Sequence, residues 1–176
     1  LANQNFEVFL IEKDSLLGGN LRHIYYTLDG MDVQTFLDDM VEKVTSHPLV
    51  HVITDSAIVD HSGFKGNFKT DIAVGAEKKI STIEHGVIIL ATGGKEFKPY
   101  GNFLYGEDKR VVTQSELEMS IAKGNLPTFG RCVMVQCVGS RNEERPYCSR
   151  VCCATAVKNA IKLKGINPDC DVVVFY

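Results

Sequence analysis

The chain reads FEVFLIE from Phe6 to Glu12, an apolar strand that ends in a carboxylate. Such a strand is typical of the second strand of a βαβ unit that binds a dinucleotide, in which the acidic side chain accepts hydrogen bonds from a ribose. Taken alone, Glu12 is equally well explained as a solvated acid at a strand end. The glycine-rich turn of such a unit lies roughly 20 residues before the acid, ahead of Leu1, so these 176 residues do not contain it.

The composition is that of an ordinary globular protein, with 44% hydrophobic and 23% charged residues and a net charge of −3. This balance argues against a nucleic-acid partner held through a phosphate footprint. No apolar run approaches the ~20 residues needed to cross a bilayer, and no secretory leader opens the chain. We therefore expect a cytoplasmic protein that is not an integral membrane protein.

Two further segments extend the pattern that begins at Glu12. Gly18-Gly19 follows the acid by six residues, and paired glycines let a ligand approach the backbone closely. Residues 82–94 read TIEHGVIILATGG, which predicts an aliphatic strand with small residues at its carboxyl end, where the crevice of an α/β sheet lies. Between these segments the periodicity predicts a helix, a short strand and three further strands, at 32–46, 50–54, 57–60, 67–74 and 79–83.

These segments resemble parts of flavoproteins. The Glu-Lys-x4-Gly-Gly stretch is similar to the segment that runs past the ribose of FAD, and the three short strands resemble the inserted β-meander of flavoproteins with two dinucleotide-binding domains. The Ala-Thr-Gly-Gly ending resembles the second FAD motif of the glutathione-reductase-like family. The resemblance implies an α/β fold of the glutathione/thioredoxin-reductase type, with a parallel sheet and an inserted antiparallel β-meander.

The second part of the chain begins a new unit. A capped helix is predicted from Thr113 to Gly124, and a short linker follows it. A buried strand at 131–137, a helix at 148–164 and a strand at 171–176 then form a β-loop-α-β unit, in which only Gly139 stands where a nucleotide loop needs G-x-G-x-x-G. We predict a truncated FAD-binding domain at 1–126 and the start of a second Rossmann-like domain at 127–176.

Four of the six cysteines form the pattern C-x10-C-x3-C-C, at Cys137, Cys148, Cys152 and Cys153. On the predicted helix, Cys148 and Cys152 share a face, and all three helical thiols can converge only near its first turn. Four thiolates suit a [4Fe–4S] cluster or a structural zinc ion, although the pattern lacks two C-x2-C knuckles. Redox-active thiols, zinc and no metal remain alternatives to iron and sulfide. Cys132 and Cys170 lie on or beside strands and are expected to be small buried hydrophobes.

Two strings carry a more specific resemblance: QCVGSR at 136–141 and YCSRVCC at 147–153. They resemble the HdrA family of heterodisulfide reductase subunits, with its relatives in sulfate-reducing bacteria, and the likeness extends over the whole chain. It implies FAD in a thioredoxin-reductase-like core, [4Fe–4S] clusters, a role in anaerobic metabolism, and as partners the other subunits of the complex and electron carriers such as ferredoxin. Carried over, the FAD contacts are Glu12, Lys13, Gly18, Gly19, Ala57, Ala91, Thr92, Gly93 and Gly94, and the cluster ligands are Cys137, Cys148, Cys152 and Cys153.

The sequence departs from that family in three ways. It lacks the N-terminal phosphate loop, it has no C-x2-C-x2-C-x3-C run, and its second nucleotide domain stops at the second strand. We therefore expect an inactive fragment of the core that binds FAD weakly or not at all by itself. The predicted function is that of an electron-transfer oxidoreductase subunit, with no catalytic residue assigned. The alternatives are a pyridine nucleotide–disulfide oxidoreductase with redox-active cysteines and a zinc-stapled, non-catalytic binding module.

Overall fold

The computed structural model describes the whole chain, Leu1–Tyr176, as seven strands and three α-helices, with short 3₁₀ helices at Ala2–Gln4 and Gly19–His23. The strands are β1 (Val8–Ile11), β2 (Val50–Ile53), β3 (Ser56–Phe64), β4 (Asn67–Val74), β5 (Lys79–His85), β6 (Arg131–Val135) and β7 (Asp171–Phe175). The helices are α1 (Val33–Ser46), α2 (Gln114–Ala122) and α3 (Cys152–Ile166). Two compact units divide the chain: residues 1–22 with 35–94, and residues 23–34 with 95–176.

The first unit combines a parallel strand pair with an antiparallel meander. β1 and β2 run parallel, in register from Val8 opposite Val50 to Ile11 opposite Ile53. β3, β4 and β5 follow as a three-stranded antiparallel sheet with β4 at its centre, and Ile72 on β4 is fully buried. The helix predicted at 32–46 and the predicted meander are both observed. The apolar stripe of α1 buries Leu37, whereas Phe36 remains 44% exposed.

The predicted strand that leads to Ala91 is the main error of the sequence analysis. β5 ends at His85, and the aliphatic run from Val87 to Leu90 lies outside every sheet. Val87 and Leu90 are 70% and 80% exposed. The residues have strand propensity, but a strand needs a neighbour to hydrogen-bond with, and no other strand pairs with this run. Residues 91–94 therefore follow an irregular, exposed segment.

The second unit packs α2 and α3 with the parallel pair β6–β7. The predicted capping box is present at the start of α2: Glu116 N–H donates to Thr113 Oγ1, and the Glu116 carboxylate accepts from Thr113 N–H. β6 and β7 pair from Arg131 opposite Asp171 to Val135 opposite Phe175. The core consists of one aromatic and five aliphatic or thioether side chains: Tyr26, Leu117, Ile121, Met134, Ala156 and Leu163.

A buried polar network connects these two helices to the segment 23–34. Lys158 Nζ on α3 lies 2.8 Å from Glu118 Oε1 on α2 and donates to the Tyr26 carbonyl oxygen at 2.9 Å. The same Glu118 oxygen accepts from Tyr25 N–H at 2.8 Å. The side chains of Lys158 and Glu118 are only 9% and 2% exposed. Since buried charges are tolerated only when paired and hydrogen-bonded, the network fixes the segment against both helices.

The helix predicted from Cys148 begins four residues later, at Cys152. Arg150 has a φ of 64°, in the left-handed region that an α-helix of L-residues cannot contain, so the helix starts after it. It also continues past Gly165 to Ile166. Cys148 therefore lies in a loop and does not share a helical face with Cys152, as the sequence analysis expected.

The α/β class, with parallel strand pairs and an antiparallel meander, is confirmed. The compact units do not follow the predicted boundary at residue 126, because residues 95–126 lie in the same unit as 127–176. The assignment of one FAD-binding and one further Rossmann-like domain stays a prediction. None of the helices has the length and apolar character that a membrane span requires.

Candidate functional site

Two of the glycine segments predicted to contact FAD lie side by side in the first unit. Asn20 Nδ2 donates to the carbonyl oxygen of Gly94 at 2.9 Å, across 74 residues of sequence. This hydrogen bond joins the Gly18-Gly19 turn to the Ala91–Gly94 segment. Asn20 was not singled out by the sequence analysis, because nothing in the local pattern shows which distant carbonyl an asparagine will reach.

Glu12, Lys13 and Ala57 are placed around the ends of the first parallel pair. Glu12 N–H donates to Ile53 O at 2.9 Å, so the residue continues the β1–β2 ladder by one position. Its carboxylate is half-buried and accepts from Asp14 N–H at 3.0 Å. Lys13 is exposed, as is Ala57 near the start of β3. The structure therefore leaves a strand-end acid and its neighbours accessible, as a ribose contact requires.

The glycines of this region leave the backbone bare. A Cβ placed on Gly19, Gly93 or Gly94 would meet no atom within 4 Å, and all three residues are exposed. Gly19 and Gly93 have φ values of 44° and 66°, which L-residues with side chains rarely adopt. Bare, hydrogen-bonded backbone beside a strand-end carboxylate fits the ribose and the chain of a dinucleotide cofactor. The residues present thus fit this part of FAD.

Gly18 differs from its neighbour, and this difference can be tested. A Cβ on Gly18 would lie 2.8 Å from Cδ1 of the buried Leu37, and φ is 113°. We expect Gly18→Ala to lower the free energy of unfolding by about 1–3 kcal/mol, through strain and overpacking. Gly19→Ala meets open space and should cost about 1 kcal/mol, for its backbone alone. Urea unfolding of both variants measures this, and equal losses would contradict the assignment of Leu37 as the obstacle.

The four clustered cysteines lie on a loop and a helix start in the second unit. We call residues 137–151, between β6 and α3, the cysteine loop. Three of its non-glycine residues, Cys137, Arg141 and Arg150, have φ between 56° and 64°, and Gly139 has a φ of 74°. Such backbone costs of order 1–3 kcal/mol per non-glycine residue and is concentrated at functional sites. The loop therefore holds a specific conformation that its local propensity disfavours.

Three of the four sulfurs accept hydrogen bonds from nearby donors. Arg141 Nη1 donates to Cys137 Sγ at 3.8 Å and Ser149 Oγ donates to Cys152 Sγ at 3.4 Å. The backbone N–H of Arg150 donates to Cys148 Sγ at 3.3 Å. Donors directed at sulfur stabilise the thiolate form, which is the form that binds metals. Arg141 was expected to offset charge, whereas Ser149 was not foreseen.

The pKa values of the thiols show that the four cysteines are close enough to interact. The hydrogen bond from Ser149 lowers the pKa of Cys152 against the opposing effect of burial, and a backbone group of Cys137 adds to the lowering. The charge of Cys152 raises the pKa of Cys153, with smaller contributions from Cys137 and Cys148. No three His, Cys, Asp or Glu side chains, however, form a group that could hold a metal ion in their present positions.

A [4Fe–4S] cluster fits the chemistry of this donor set. Each iron of the cluster takes one thiolate, so the four sulfurs stand farther apart than around a single ion, and cluster sulfurs are commonly hydrogen-bonded. Cys132 and Cys170 stand apart from the four. Burial, then the neighbouring Cys170, raises the pKa of Cys132, and Cys170 is buried beside β7. Both therefore behave as the core residues that the sequence analysis expected.

Comparison with curated proteins places the chain among subunits of oxidoreductases. One relative, from Methanococcus maripaludis, is a subunit of the H(2)/formate:CoB-CoM heterodisulfide,ferredoxin reductase and is 26% identical over all of this chain and 40% of its own length. The subunit of the same type from the H(2):CoB-CoM heterodisulfide,ferredoxin reductase of Methanothermobacter marburgensis is 40% identical over 53% of this chain and 16% of its own length. A third, from the ferredoxin/F(420)H(2)-dependent CoB-CoM heterodisulfide reductase of Methanosarcina acetivorans, is 37% identical over 59% of this chain and 15% of its own length.

These matches confirm the resemblance stated from the sequence: the chain is a homologue of HdrA, the type of heterodisulfide reductase subunit to which these relatives belong. It spans about two-fifths of the length of the relatives that it matches from end to end. The chain matches no protein-family model. Among solved structures, L-proline dehydrogenase from P. horikoshii aligns with 99% of this chain and 31% of its own, at 13% identity and a TM-score of 0.48. A likeness of that size carries no argument about fold or function.

Proposed function

We propose that this chain is part of an electron-transfer oxidoreductase subunit that passes electrons between FAD and a [4Fe–4S] cluster. The observation that carries the proposal is the arrangement of Cys137, Cys148, Cys152 and Cys153 around one strained loop, with donors directed at three of the sulfurs. Four thiols at the surface of a protein have no structural need for such donors. They do have a need for them when they hold a negatively charged cluster.

The electrostatics of the loop support a centre that gains and loses negative charge. Arg141, Arg145 and Arg150 lie between the first and the third of the four cysteines, and the N-terminus of α3 carries the positive end of the helix dipole. A cluster of four thiolates supplies one-electron chemistry when bound, and its reduction adds a negative charge. Cations and hydrogen-bond donors around it make that reduction easier.

The glycine segments of the first unit support FAD as the second cofactor. Glu12 would accept hydrogen bonds from the ribose, and the bare backbone at Gly19, Gly93 and Gly94 would lie against the cofactor without a Cβ in the way. We propose that Lys13, Gly18, Ala57, Ala91 and Thr92 complete this surface. Flavin supplies chemistry in both one- and two-electron steps, so it is suited to exchange electrons with a cluster.

The proposed setting is a multisubunit complex similar to heterodisulfide reductase. The relatives are named as subunits of such enzymes, and two of the names include ferredoxin. We therefore propose other subunits of such a complex, and ferredoxin-like carriers, as partners in a cytoplasmic location.

The direct experiment is anaerobic purification followed by reconstitution with iron and sulfide. The proposal predicts broad absorption near ~400 nm and about four irons and four sulfides per chain. A colourless protein that retains zinc would favour the zinc-stapled module. A colourless, metal-free protein whose thiols oxidise pairwise would favour the disulfide oxidoreductase. Added FAD is followed separately, by quenching of flavin fluorescence, so that each cofactor is tested by its own signal.

The donors to sulfur make a further prediction about the reconstituted cluster. Removing the Ser149 hydroxyl in Ser149→Ala, or the Arg141 guanidinium in Arg141→Leu, deprives the reduced cluster of stabilisation. We expect the midpoint potential of each variant to become more negative by tens of millivolts, with its iron content retained. An EPR-monitored redox titration measures this. Lys109→Leu, which removes a cation from an exposed loop that precedes α2, is the control and should leave the potential unchanged.

A further inference from the structure

Phe97 contacts the cysteine loop at two points. A Cβ placed on Gly139 would lie 2.4 Å from Cε1 and 2.5 Å from Cδ1 of the Phe97 ring, so the glycine backbone lies directly on the ring. The guanidinium carbon of Arg145 stands 5.3 Å from the centre of the same ring, within the range of a cation–π contact. Gly139 follows Cys137 by two residues and Arg145 precedes Cys148 by three. One ring thus holds both halves of the stretch between two cysteines.

The ring is mounted on an anchored piece of backbone. Its two neighbours, Glu96 and Lys98, form an ion pair at 2.8 Å, and Lys98 Nζ also lies 3.0 Å from Glu116 Oε1 in the capping box of α2. Tyr105 OH donates to that same Glu116 oxygen at 2.8 Å. Phe97 is therefore fixed on both sides to the start of a helix, while its own side chain is 41% exposed and outside the core cluster.

An exposed aromatic ring on a fixed mount is poorly explained by core packing. Its partners are a glycine whose φ of 74° favours a residue without a side chain and an arginine in a loop without regular structure. The ten residues between Cys137 and Cys148 include no helix or strand, and ordering such a stretch is opposed by conformational entropy. Contacts that hold its two halves determine how far apart the cysteines at its ends are.

We propose that Phe97 is a positioning residue for the cysteine loop: its ring holds Gly139 and Arg145 and so sets the placement of Cys137 relative to Cys148. The inference rests on the proposed cluster site for its functional meaning. The contact itself is a property of this chain without any cofactor. It can therefore be tested in the metal-free protein as well as in the reconstituted one.

The first test is limited trypsin digestion of the metal-free chain. The loop offers cleavage after Arg141 and Arg150, and cleavage of a transiently opened segment follows the population of its open form. We expect Phe97→Ala to increase the rate of cleavage at Arg141 at least fivefold, and Phe97→Tyr, which keeps the ring, to restore a rate close to that of the wild type. Phe103→Ala is the matched control, since Phe103 is 62% exposed in the same connecting segment.

A double-mutant cycle tests the contact with Gly139. The methyl group of Gly139→Ala meets the ring in the wild-type background but not in Phe97→Ala, while the backbone strain of the alanine is the same in both. Trypsin cleavage rates should therefore be non-additive, with the double variant no worse than Gly139→Ala alone. Additive effects would contradict a direct contact.

The second test uses the reconstituted protein, in which a merely structural role predicts no change in spectroscopy. We expect Phe97→Ala to retain iron while its reduced cluster gives a broadened or shifted EPR signal, and Phe97→Tyr to restore the signal of the wild type. Unchanged cleavage and an unchanged EPR signal in Phe97→Ala would overturn the inference. If the wild-type protein binds no iron, the proposed function fails, while the cleavage rates still decide whether Phe97 positions the loop.

Discussion

Replacement of Cys137, Cys148, Cys152 or Cys153 by serine, one at a time, is expected to remove most of the iron and acid-labile sulfide from the reconstituted protein. Each of these thiols supplies one of the four ligands of the proposed cluster, and serine oxygen is a poor substitute for thiolate on iron. The expected loss is at least fivefold in iron per chain. It is measured colorimetrically on protein prepared without oxygen, together with the absorption near ~400 nm.

The other two cysteines provide the matched controls. Cys132 lies on β6, opposite Val172, and five residues along a strand from Cys137 correspond to roughly 16 Å. Cys170 is buried beyond the far end of α3. Cys132→Ser and Cys170→Ala should therefore keep the iron content of the wild type. Loss of iron in a control, or retention in any of the four, would contradict the assignment of the ligands.

Removal of Lys158 is expected to have the largest effect on stability. In Lys158→Met the carboxylate of Glu118, whose side chain is 2% exposed, keeps the hydrogen bond from Tyr25 but loses its cationic partner. Breaking a buried pair in this way typically costs about 3–5 kcal/mol of unfolding free energy. That is a large share of the total stability of a typical domain. Urea unfolding monitored by circular dichroism measures the loss.

Two further variants separate the charge from the packing. Lys162 lies one turn further along α3, 5.1 Å from the same Tyr26 ring, but it is exposed, so Lys162→Met should cost less than about 1 kcal/mol. The double variant Lys158→Met/Glu118→Leu removes both charges and should be more stable than Lys158→Met alone. A double variant less stable than the single one would show that the stranded charge is not the cause.

Local signals in the sequence predict much of the fold. The capping box at Thr113 and Glu116 and the apolar periodicity of α1 specify these helices because the determining contacts lie within one or two turns. The antiparallel meander is specified in the same way, by strands separated by short turns. Each of these elements is found close to its predicted bounds.

The errors arise where distant residues decide. Residues 87–90 have the composition of a buried strand, yet no strand pairs with them. The start of α3 depends on the left-handed backbone of Arg150, which no propensity for arginine indicates. In the candidate sites, the grouping of the four cysteines was visible in their spacing. The bond from Asn20 to Gly94 and the contact of Phe97 with Gly139 join residues far apart in sequence, so no local pattern could indicate them.

Mössbauer spectroscopy of the chain reconstituted with ⁵⁷Fe tests the central claim most directly, because it reports the type and number of iron sites together. The account predicts a single cubane species that accounts for about four irons per chain, and its absence in the variant with all four cysteines replaced by serine. A two-iron cluster, mononuclear iron, or a spectrum unchanged in that variant would contradict the claim that these four cysteines hold one [4Fe–4S] cluster.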